Sequence, residues 1–523
     1  MNSDRQHPIL LPMKLVTAEQ MRAIDQRAIQ ERGIPGLKLM ENTGRGVAEW
    51  AREILGGEVA GKRVVVVSGK GNNGGDGYVV ARYLSGWGSK VQVIVIAQRD
   101  EIKGDARANL EELRLPVIFA RTAQDIPDLK SVDLIVDGIF GTGFQGEVSG
   151  LAAEAIALMN ASRRPILAID APSGLNSDTG EVSTQCIRAS FTATLALPKL
   201  GQCFFPGKAH CGRLKVIDIG MPNEVVDSFD ISLSLITREY VSEVVPDREP
   251  TTHKGDAGRL FIVAGAVGLT GAATLAANAA MRAGAGLVTV GIPKSLNDIL
   301  EVKLTEAMTR PLPELKKQRC LAVRALGDIL MGMRASDAMC LGPGVGRNHE
   351  TMDLVRRMVA KLDRPAVLDA DGLYAFSGKL ELLKAATAPM VLTPHPGEFT
   401  RLTGEELGSA ASERIDAVRS LANEIQKVVV LKGAPTIIAD VNGQVYVNPT
   451  GNAGMATGGS GDVLTGVIGA LLASGIPVFP AAVAGVYLHG LAGDLGKEEM
   501  GTFGLIAGDI VEKIAGAMKL LKR

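Results

Sequence analysis

Hydrophobic and polar positions follow a regular rhythm in the first half of the chain. Short apolar runs rich in β-branched residues are separated by segments long enough for helices, and these runs cover residues 63–69, 91–97, 132–138, 165–174 and 193–198. Runs that are apolar at successive positions are typical of parallel strands whose two faces are both covered by helices. The pattern therefore predicts an α/β domain built on a doubly wound parallel sheet.

The second half repeats this rhythm after an irregular segment. Residues 236–256 contain Pro246, Pro250 and several charges, a composition typical of a linker between domains. Six further apolar runs predict strands at 259–265, 287–293, 338–344, 366–372, 389–395 and 428–440. A chain of 523 residues is too long for one ordinary hydrophobic core. We therefore predict two domains, residues 14–235 and 236–523.

Three segments bear on helices and membranes. Residues 17–32 predict an amphipathic helix, because Thr17 and Gln20 have capping-box spacing and Met21, Ile24 and Ala28 share one face. Residues 463–493 contain no Asp, Glu, Lys or Arg, but two prolines interrupt them, so we expect two buried helices rather than a membrane span. The apolar run within residues 1–14 is too short for a signal peptide.

Composition narrows the class of partner. The net charge is −1, so no basic field exists to hold nucleic acid or an anionic membrane, and a small-molecule substrate is favoured. The five cysteines form no CxxC pair, which argues against a disulfide framework or structural zinc and favours a reducing, cytoplasmic location. The 62 glycines and 4% aromatic residues suit glycine-rich turns between buried strands.

The first candidate site begins at the glycine-rich sequence "GKGNNGGDG" (69–77), which follows a predicted strand and opens a predicted helix. Its first glycines have the GxGxxG spacing of a dinucleotide loop, a weak signal by itself. Asn72, Asn73 and Asp76 add more side-chain oxygen than a plain pyrophosphate turn requires. An ordinary strand-to-helix turn is the alternative. The nearby "GGEVAGKR" is not a P-loop, because Arg63 replaces the Ser/Thr and the motif precedes a strand.

Two acids at strand ends complete this site. Asp137 and Asp170 each end a predicted strand, and the carboxyl ends of parallel strands form the ligand crevice, so we expect both to face the same cleft as the glycine loop. Either could instead cap the following helix. With Asn73 and Ser173 they offer oxygen ligands suited to a hard cation. Lys199, after the fifth strand, either neutralises a phosphate or moves a proton, or is a solvated loop lysine.

The second candidate site is "MATGGSGDVLTG" (455–466). Gly458, Gly459, Ser460 and Gly461 precede a predicted helix, and backbone amides converging there would bind an anion. Asp462 beside such an anion is repulsive unless it has a chemical task, so we interpret it as a base for a hydroxyl that attacks phosphorus. The alternative is a glycine-rich helix cap in which Asp462 only favours the helix dipole.

These motifs carry a family resemblance. "GKGNNGGDG", "DGIFGTGFQGE" and "DAPSG", followed by "HKGDAG", "TPHPGE" and "MATGGSGDVLTG", closely resemble the bifunctional NAD(P)H-hydrate repair enzymes from about Lys14 to Lys519. The resemblance implies a Rossmann-like epimerase domain and a ribokinase-like α/β/α dehydratase domain. The first would interconvert the R and S forms of hydrated NADH or NADPH. The second would dehydrate the S form with ADP, giving AMP and phosphate.

For the first domain, the resemblance implies catalysis by Asp170 and a potassium site formed by Asn73, Asp137 and Ser173. Asp170 would also contact the hydrate. The two loops that hold the hydrate would supply Asn72, Asn73, Gly74, Gly75, Asp76, Gly77, Gly141, Thr142, Gly143, Phe144, Gln145, Gly146 and Glu147. Reversible opening of the carbon that bears the hydroxyl needs one well-placed acid–base group, which Asp170 can supply.

For the second domain, the resemblance implies catalysis by Asp462 and contacts to the hydrate from Ala257, Gly346, His395 and Asp462. The adenine nucleotide would contact Lys432, Gly433, Ala434, Pro435, Thr436, Gly458, Gly459, Ser460 and Gly461. Glu398 would orient magnesium through water. A lone histidine is more often structural, but the prolines around His395 favour a ligand contact.

Three other functions compete with this interpretation. A vitamin-precursor kinase of the hydroxymethylpyrimidine type would use Asp462 and the same anion hole, but it would not need the first glycine loop. A noncatalytic scaffold would not need Asp137 and Asp170. A nicotinamide dehydrogenase is suggested only by GxGxxG. We expect a homo-oligomer, and the choice between ADP and ATP stays open.

Overall fold

The computed structural model describes residues 12–522, which belong to two compact units. One unit is Lys14–Ile231, and the other comprises residues 12–13 together with the chain from Ser232 to the end of the described part. Most of the segment considered above for a signal peptide, residues 1–11, lies outside the described residues.

The first unit is built on a parallel sheet. The short strand β1 (Met13–Lys14) precedes this sheet and is not part of it. The strands of the sheet are β2 (Arg63–Ser68), β3 (Lys90–Val95), β4 (Val117–Phe119), β5 (Leu134–Gly138), β6 (Ile166–Ile169), β7 (Phe191–Leu195) and β8 (Arg213–Ile217). Its helices are α1 (Ala18–Arg32), α2 (Gly36–Ile54), α3 (Asn72–Gly86), α4 (Gly104–Glu112), α5 (Gly150–Ala161), α6 (Leu200–Cys203), α7 (Gly207–Cys211) and α8 (Asn223–Asp227). The strand order is β4-β3-β2-β5-β6-β7-β8, and every neighbouring pair is parallel.

Both faces of this sheet are buried, as the unbroken apolar strands predicted. Along β2, Val64 and Val66 belong to a core cluster that includes Tyr78 of α3, whereas Val65 and Val67 belong to a second cluster that includes Ile156 of α5. Successive residues of a strand point to opposite faces, so a strand covered on both sides must be apolar throughout. The predicted doubly wound α/β fold is confirmed.

The second unit contains a longer mixed sheet and a separate two-stranded antiparallel sheet, Glu314–Leu315 with Cys320–Leu321. Its strands are β9 (Leu233–Leu235), β10 (Arg259–Val263), β11 (Leu287–Pro293), β12 (Met308–Leu312), β13 (Glu314–Leu315), β14 (Cys320–Leu321), β15 (Ala338–Leu341), β16 (Ala366–Leu368), β17 (Met390–Leu392), β18 (Val428–Leu431), β19 (Ile437–Ala439) and β20 (Val445–Val447). Its helices are α9 (Arg238–Val244), α10 (Thr270–Arg282), α11 (Asn297–Lys303), α12 (Leu326–Arg334), α13 (His349–Val359), α14 (Asp371–Tyr374), α15 (Leu380–Ala385), α16 (Pro396–Thr403), α17 (Ala411–Ile425), α18 (Ser460–Ala473), α19 (Val478–Gly504) and α20 (Ala507–Leu521).

Helices cover both faces of this second sheet. The order from β9 is β9-β20-β19-β18-β17-β16-β15-β10-β11-β12, and the pairs from β18 through β12 are parallel. Leu260 and Ile262 of β10 share a core cluster with α10, α18 and α20. A Cβ on Gly332 of α12 would lie 2.6 Å from the Phe261 ring, so α12 packs on the opposite face. This is the predicted α/β/α sandwich.

Two predictions about this unit are wrong. Residues 428–440 are not one strand, because Lys432–Thr436 form a loop between β18 and β19, which pair antiparallel. The segment 236–256 is not all linker, since α9 buries Tyr240 and Val241 in the core cluster. Strand β9 pairs with β20, which explains why the compact unit begins at Ser232.

The charge-free segment forms two helices, α18 and α19, as predicted. Helix α19 is long and apolar enough to cross a membrane by length and composition, but 61% of its most apolar window is buried inside the protein. Burial of this kind is what a core helix of a folded domain shows.

Close approach of α10 and α18 depends on a glycine. A Cβ on Gly466 would lie 2.1 Å from the carbonyl oxygen of Ala276, a backbone atom that a side-chain movement cannot relieve. We expect Gly466→Ala to destabilise the second unit by about 1–3 kcal/mol because the helices must separate.

Urea unfolding followed by far-ultraviolet circular dichroism measures this effect. Gly516→Ala is the matched control, because its Cβ would lie 3.5 Å from Leu495, an ordinary contact. Equal midpoints for the two variants would contradict the expected clash.

Two candidate active sites

The first site is a cavity of about 660 Å³ at the carboxyl edge of the first sheet. It lies where the strand order reverses between β2 and β5, the place where ligands bind in open α/β sheets. Of the residues predicted for this site, the ones that line the cavity are Asn72, Asn73, Asp76, Gly141, Thr142, Gly143, Phe144, Gln145 and Asp170.

The other predicted residues of the two loops do not line this cavity. Gly74, Gly75 and Gly77 are buried in the first turns of α3. A Cβ on Gly74 would lie 2.1 Å from the carbonyl oxygen of Gly69, so this glycine permits a close approach of strand and helix. Gly146 also lies outside the cavity, and Glu147 accepts hydrogen bonds from Ser183 and Thr184.

Asp170 is held by several contacts just after β6. Its Oδ1 lies 2.6 Å from the Lys199 Nζ, and its Oδ2 accepts hydrogen bonds from the amide and hydroxyl of Thr142. Its backbone has φ +63°, a strained conformation for a residue other than glycine. Burial alone would raise the pKa of Asp170, but Lys199 and the hydrogen bonds lower it below the ordinary value. Asp170 is therefore an ionised carboxylate rather than a helix cap.

Lys199 is not a solvated loop lysine. Its exposed fraction is 0%, and its Nζ donates to Asp170, to Thr194 Oγ1 at 3.2 Å and to the Leu195 carbonyl at 2.9 Å. Gln202 braces the same turn, since it accepts from the Lys199 amide and donates to the Asp170 carbonyl. The structure therefore supports the alternative in which Lys199 acts in the site.

Two further carboxyl groups face Asp170 inside the cavity. Burial raises the pKa of Asp76 well above its usual value, and the neighbouring Asp170 and Asp25 raise it further. Burial also raises the pKa of Asp25 to about 6, although Lys199 opposes this shift. The pKa values of the carboxyl groups in this cavity are thus shifted in opposite directions, which is the arrangement from which acid and base roles arise.

Asp137 lies behind the cavity rather than in it, contrary to the expectation that it faces the cleft. It is fully buried, and its two oxygens accept from the Ser173 hydroxyl at 2.6 Å and the Ser173 amide at 2.8 Å. Burial raises its pKa to about 6. Asn73 donates to the Phe140 carbonyl at 2.9 Å, while its Oδ1 is buried without a hydrogen-bond partner among the described residues.

The second site is at the carboxyl edge of the second sheet, where α18 begins. Gly459 precedes the helix with φ +93°. The Ser460 amide donates to the Thr457 carbonyl at 3.4 Å, whereas the amides of Gly461 and Asp462, in the first turn of α18, have no intrahelical partner and can bind an anion. Asp462 lies in this first turn. Burial, and then the nearby Asp369, raise the pKa of Asp462 to about 7, while Lys432 opposes the shift.

An ion pair between the half-buried Lys432 and the buried Asp369 lies beside Asp462. The Lys432 Nζ is 2.8 Å from Asp369 Oδ1 and 3.6 Å from Glu398 Oε2. Thr465 and Thr393 each donate to Asp369 at 2.8 Å. A Cβ on Gly461 would lie 3.2 Å from Lys432 Nζ, so the lysine reaches the glycine-rich turn. Burial would lower the pKa of Lys432, but the acids, led by Asp369, raise it.

His395 has a structural task and also borders the site. Its Nδ1 accepts from the amides of Gly397 and Glu398, and Glu398 accepts in return from the His395 amide, which forms a capping box at α16. The side chain is 51% exposed, and its Nε2 lies 3.6 Å from Glu398 Oε1. Both interpretations of His395 are therefore compatible with the structure.

Gly346 and Ala257, the other two residues predicted to contact the hydrate, lie at opposite edges of the sheet. Gly346 follows β15 with φ +80°, and its amide donates to Asp371 at 3.0 Å, on the same sheet edge as Asp462. Ala257 instead precedes β10, at the amino edge of the sheet. A five-residue strand spans about 16 Å. The structure therefore does not bring Ala257 to the other residues predicted to hold the hydrate.

Each half of the chain matches a known protein family. The sequence model described as NAD(P)H-hydrate dehydratase matches residues 260–515, and that of the YjeF-related protein N-terminus matches 36–201. The bifunctional NAD(P)H-hydrate repair enzyme of Moorella thermoacetica is 43% identical over 517 residues, 98% of this chain and 97% of that protein. Its counterpart in Thermofilum pendens is 36% identical over 516 residues, with the same coverage of 98% and 97%. This chain belongs to the family of bifunctional NAD(P)H-hydrate repair enzymes.

A solved structure is also similar. It is the ADP/ATP-dependent NAD(P)H-hydrate dehydratase from Bacillus subtilis co-crystallised with ATP and magnesium, which is 30% identical, with a TM-score of 0.46. The similarity covers 55% of this chain and 97% of that chain. Because the bifunctional relatives match nearly the whole chain, the vitamin-precursor kinase alternative is not favoured.

Sequence reasoning missed several residues of these sites. Asp369 ends β16 in "LDADG", the same strand-end signal that identified Asp137 and Asp170, so it could have been found. No sequence motif surrounds His489 on α19, so the sequence did not identify it. Its Nε2 lies 3.3 Å from the Ser460 hydroxyl, and burial lowers its pKa to about 4, which keeps the ring neutral. Asp25 was interpreted only as part of an amphipathic helix.

The buried pair in the epimerase unit of this family member gives a stability prediction. We expect Lys199→Met to destabilise that unit by about 3–5 kcal/mol, because it leaves Asp170 buried without its counter-ion. The exposed pair Lys215–Glu53 provides the control, and Lys215→Met should cost less than about 1 kcal/mol.

Tryptophan fluorescence in a urea titration reports on this unit alone, because both tryptophans of the chain, Trp50 and Trp87, lie in it. Adding Asp170→Asn to Lys199→Met should recover part of the loss. Equal losses of unfolding free energy from the two lysine substitutions would show that the buried Lys199–Asp170 pair stabilises the unit no more than the exposed pair does.

Proposed function

We propose that this chain repairs hydrated NADH and NADPH in two steps. The first unit interconverts the R and S epimers, and the second dehydrates the S epimer at the expense of ADP. The observation that carries the proposal is Asp462 in the glycine-rich first turn of α18, beside the Lys432–Asp369 pair. Family membership supplies the substrate class, since the relatives are named for it.

In the dehydratase step, Asp462 acts as the base. Its carboxylate takes the proton of the hydroxyl on C6 of the nicotinamide ring, and the oxygen attacks the terminal phosphorus of ADP. AMP leaves with the electron pair of the broken P–O bond. The amides at the start of α18 and the Lys432 ammonium stabilise negative charge on the transferred phosphoryl group.

Phosphorylation makes the C6 oxygen a good leaving group. Hydroxide leaves slowly from such a carbon, whereas phosphate leaves readily with the C–O electron pair while the ring nitrogen donates its own pair. Loss of a proton from C5 then forms the C5–C6 double bond of NAD(P)H. A site with the parts of a kinase thereby performs a dehydration.

Nucleotide and magnesium would bind at the same edge of the sheet. Lys432–Thr436 and Gly458–Gly461 flank the ion pair, and we assign the nucleotide to them. No cluster of three His, Cys, Asp or Glu side chains suited to a metal exists among residues 12–522. Magnesium typically binds phosphates plus one or two carboxylates. We therefore assign magnesium to the nucleotide phosphates, whose negative charge it would neutralise. Glu398 would orient the magnesium ion through a water molecule.

In the epimerase step, Asp170 takes and returns the hydroxyl proton of the hydrate. Its ion pair with Lys199 and its bonds from Thr142 keep it ionised and fixed at the cavity wall. For potassium, the orphan Oδ1 of Asn73 with Ser173 and Asp137 behind it is a fitting set of oxygen donors. Bound there, potassium would order the 141–147 loop. Assembly into a homo-oligomer remains a prediction.

Replacing the proposed base tests the dehydratase step. We expect Asp462→Asn to lower the rate of NADH recovery from the S hydrate with ADP by about 10²- to 10⁴-fold. With the unchanged enzyme, kcat/KM should rise with pH through about 7, because Asp462 accepts a proton only when ionised. The absorbance of reduced nicotinamide follows the reaction.

Asp298→Asn is the matched control, since Asp298 is an exposed acid in the first turn of α11. If Asp462→Asn retained the full rate, the assignment of the base would be wrong. If no NADH formed with either ADP or ATP, the repair function itself would be discarded.

Replacing Asp170 separates the two activities. With an R and S mixture, the unchanged enzyme should recover NADH completely. Asp170→Asn should rapidly recover only the S fraction, followed by the slow spontaneous conversion of R, because the dehydratase residues are untouched. Complete and rapid recovery by Asp170→Asn would exclude Asp170 as the epimerase base.

A further inference from the structure

Helix α1 contributes a wall to the epimerase cavity. Met21, Asp25 and Ile29 line it, at intervals of four residues along one side of the helix. Residues spaced by four lie one above another on a helix. The adjacent stripe, with Ile24 and Ala28, is buried in a small core cluster. The helix thus has one stripe for packing and a neighbouring stripe for the cavity, and the second carries a single carboxyl group.

This helix is fixed relative to the catalytic turn. Just before it, Val16 pairs with the segment around Lys199: the Val16 amide donates to the Pro198 carbonyl at 3.1 Å, and the Leu200 amide donates to the Val16 carbonyl at 3.0 Å. Thr17 and Gln20 form the predicted capping box. The position of Asp25 is therefore tied to the backbone that carries Lys199.

Asp25 has an unsatisfied oxygen in this cavity. Its Oδ1 is buried and has no hydrogen-bond partner within the described part of the chain. Charged groups that face it are Lys199 after β7, Asp170 after β6 and Asp76 on α3. A buried polar atom without a partner is costly and needs an explanation, and a ligand bound in the cavity would supply the missing partner.

Asp170 alone does not complete the epimerisation chemistry, contrary to the expectation that one acid–base group is enough. When the C6 hydroxyl loses its proton and the C6–N1 bond breaks, C6 becomes an aldehyde and N1 receives the electron pair. N1 then needs a proton. Both oxygens of Asp170 are already engaged, with Lys199 and Thr142, and its role is to accept the hydroxyl proton.

We propose that Asp25 is the second acid–base residue of the epimerase, the group that gives N1 its proton as the ring opens. This inference rests on the proposed epimerase function. Asp170 takes the hydroxyl proton, the C6–N1 pair goes to N1, and the Asp25 carboxyl protonates N1. Rotation about C5–C6 presents the other face of the aldehyde. Ring closure then reverses each transfer and gives the opposite epimer without any other reactant.

The environment of Asp25 suits this task. Burial raises its pKa to about 6, so both protonation states are populated near neutral pH, which is where a group that gives and regains a proton is most effective.

Direct chromatography of the R and S epimers, without ADP, tests the proposal on the full chain. We expect Asp25→Asn to lower kcat for conversion of R to S by about 10²- to 10⁴-fold with little change in KM. The unchanged enzyme should lose rate as pH rises above about 6, because the acid must be protonated, and this decline should vanish in Asp25→Asn. Asp25→Glu should restore part of the rate with a displaced pH profile.

Glu19→Gln, the same chemical change on the exposed side of α1, should leave epimerisation unchanged. Tryptophan fluorescence in urea confirms that the first unit of each variant is folded. Dehydration of the pure S epimer with ADP should be equal in all variants, because it occurs in the other unit.

Three results would overturn the proposal. A folded Asp25→Asn that epimerises at the unchanged rate excludes any role for Asp25. A loss confined to KM, with kcat and the pH profile retained, makes Asp25 a binding residue only. If the unchanged enzyme does not accelerate R to S at all, the epimerase function fails, and the inference fails with it.

Discussion

A lysine paired with a buried aspartate lies at the centre of each site. In the first unit Lys199 pairs with Asp170, and in the second Lys432 pairs with Asp369. Removing the lysine from such a pair leaves the aspartate buried and uncompensated, so the loops that carry both residues must stay in place. In both units the aspartate immediately follows a parallel strand, and the lysine follows a strand farther along the chain. The sheet fixes the strand ends, and the ion pairs fix the side chains.

The two pairs have different neighbours, and this difference separates their chemistry. In the first unit the paired aspartate itself borders the cavity and faces two carboxyl groups of raised pKa, Asp25 and Asp76. In the second unit the paired Asp369 is fully engaged by two threonines and Lys432. The free carboxyl there is Asp462, beside open backbone amides. One arrangement suits proton exchange with a small ring, and the other suits phosphoryl transfer.

Glycines serve both sites by allowing close approach. Gly74 lets α3 begin against the backbone of Gly69, and Gly461 lets Lys432 reach the first turn of α18. A helix that starts this close to a strand end directs its free amides into the crevice. Loops with so little side-chain volume are readable in a sequence, which is why the motifs "GKGNNGGDG" and "TGGSGDV" are enough to locate both sites along the chain.

The sequence by itself determined the fold class, most of the central strands and the contiguous motifs, because these depend on local pattern: apolar runs, turns and acids at strand ends. Only the tertiary structure decided which distant residues meet. Lys199 could be a surface residue by sequence, Asp25 belonged to an ordinary amphipathic helix, and Ala257 was assigned to a site at the other edge of its sheet. Their surroundings depend on which strands become neighbours and on how helices pack across them. A pattern along the sequence predicts which face of a helix or strand a residue occupies. It does not predict which distant residue the folded chain places against that face.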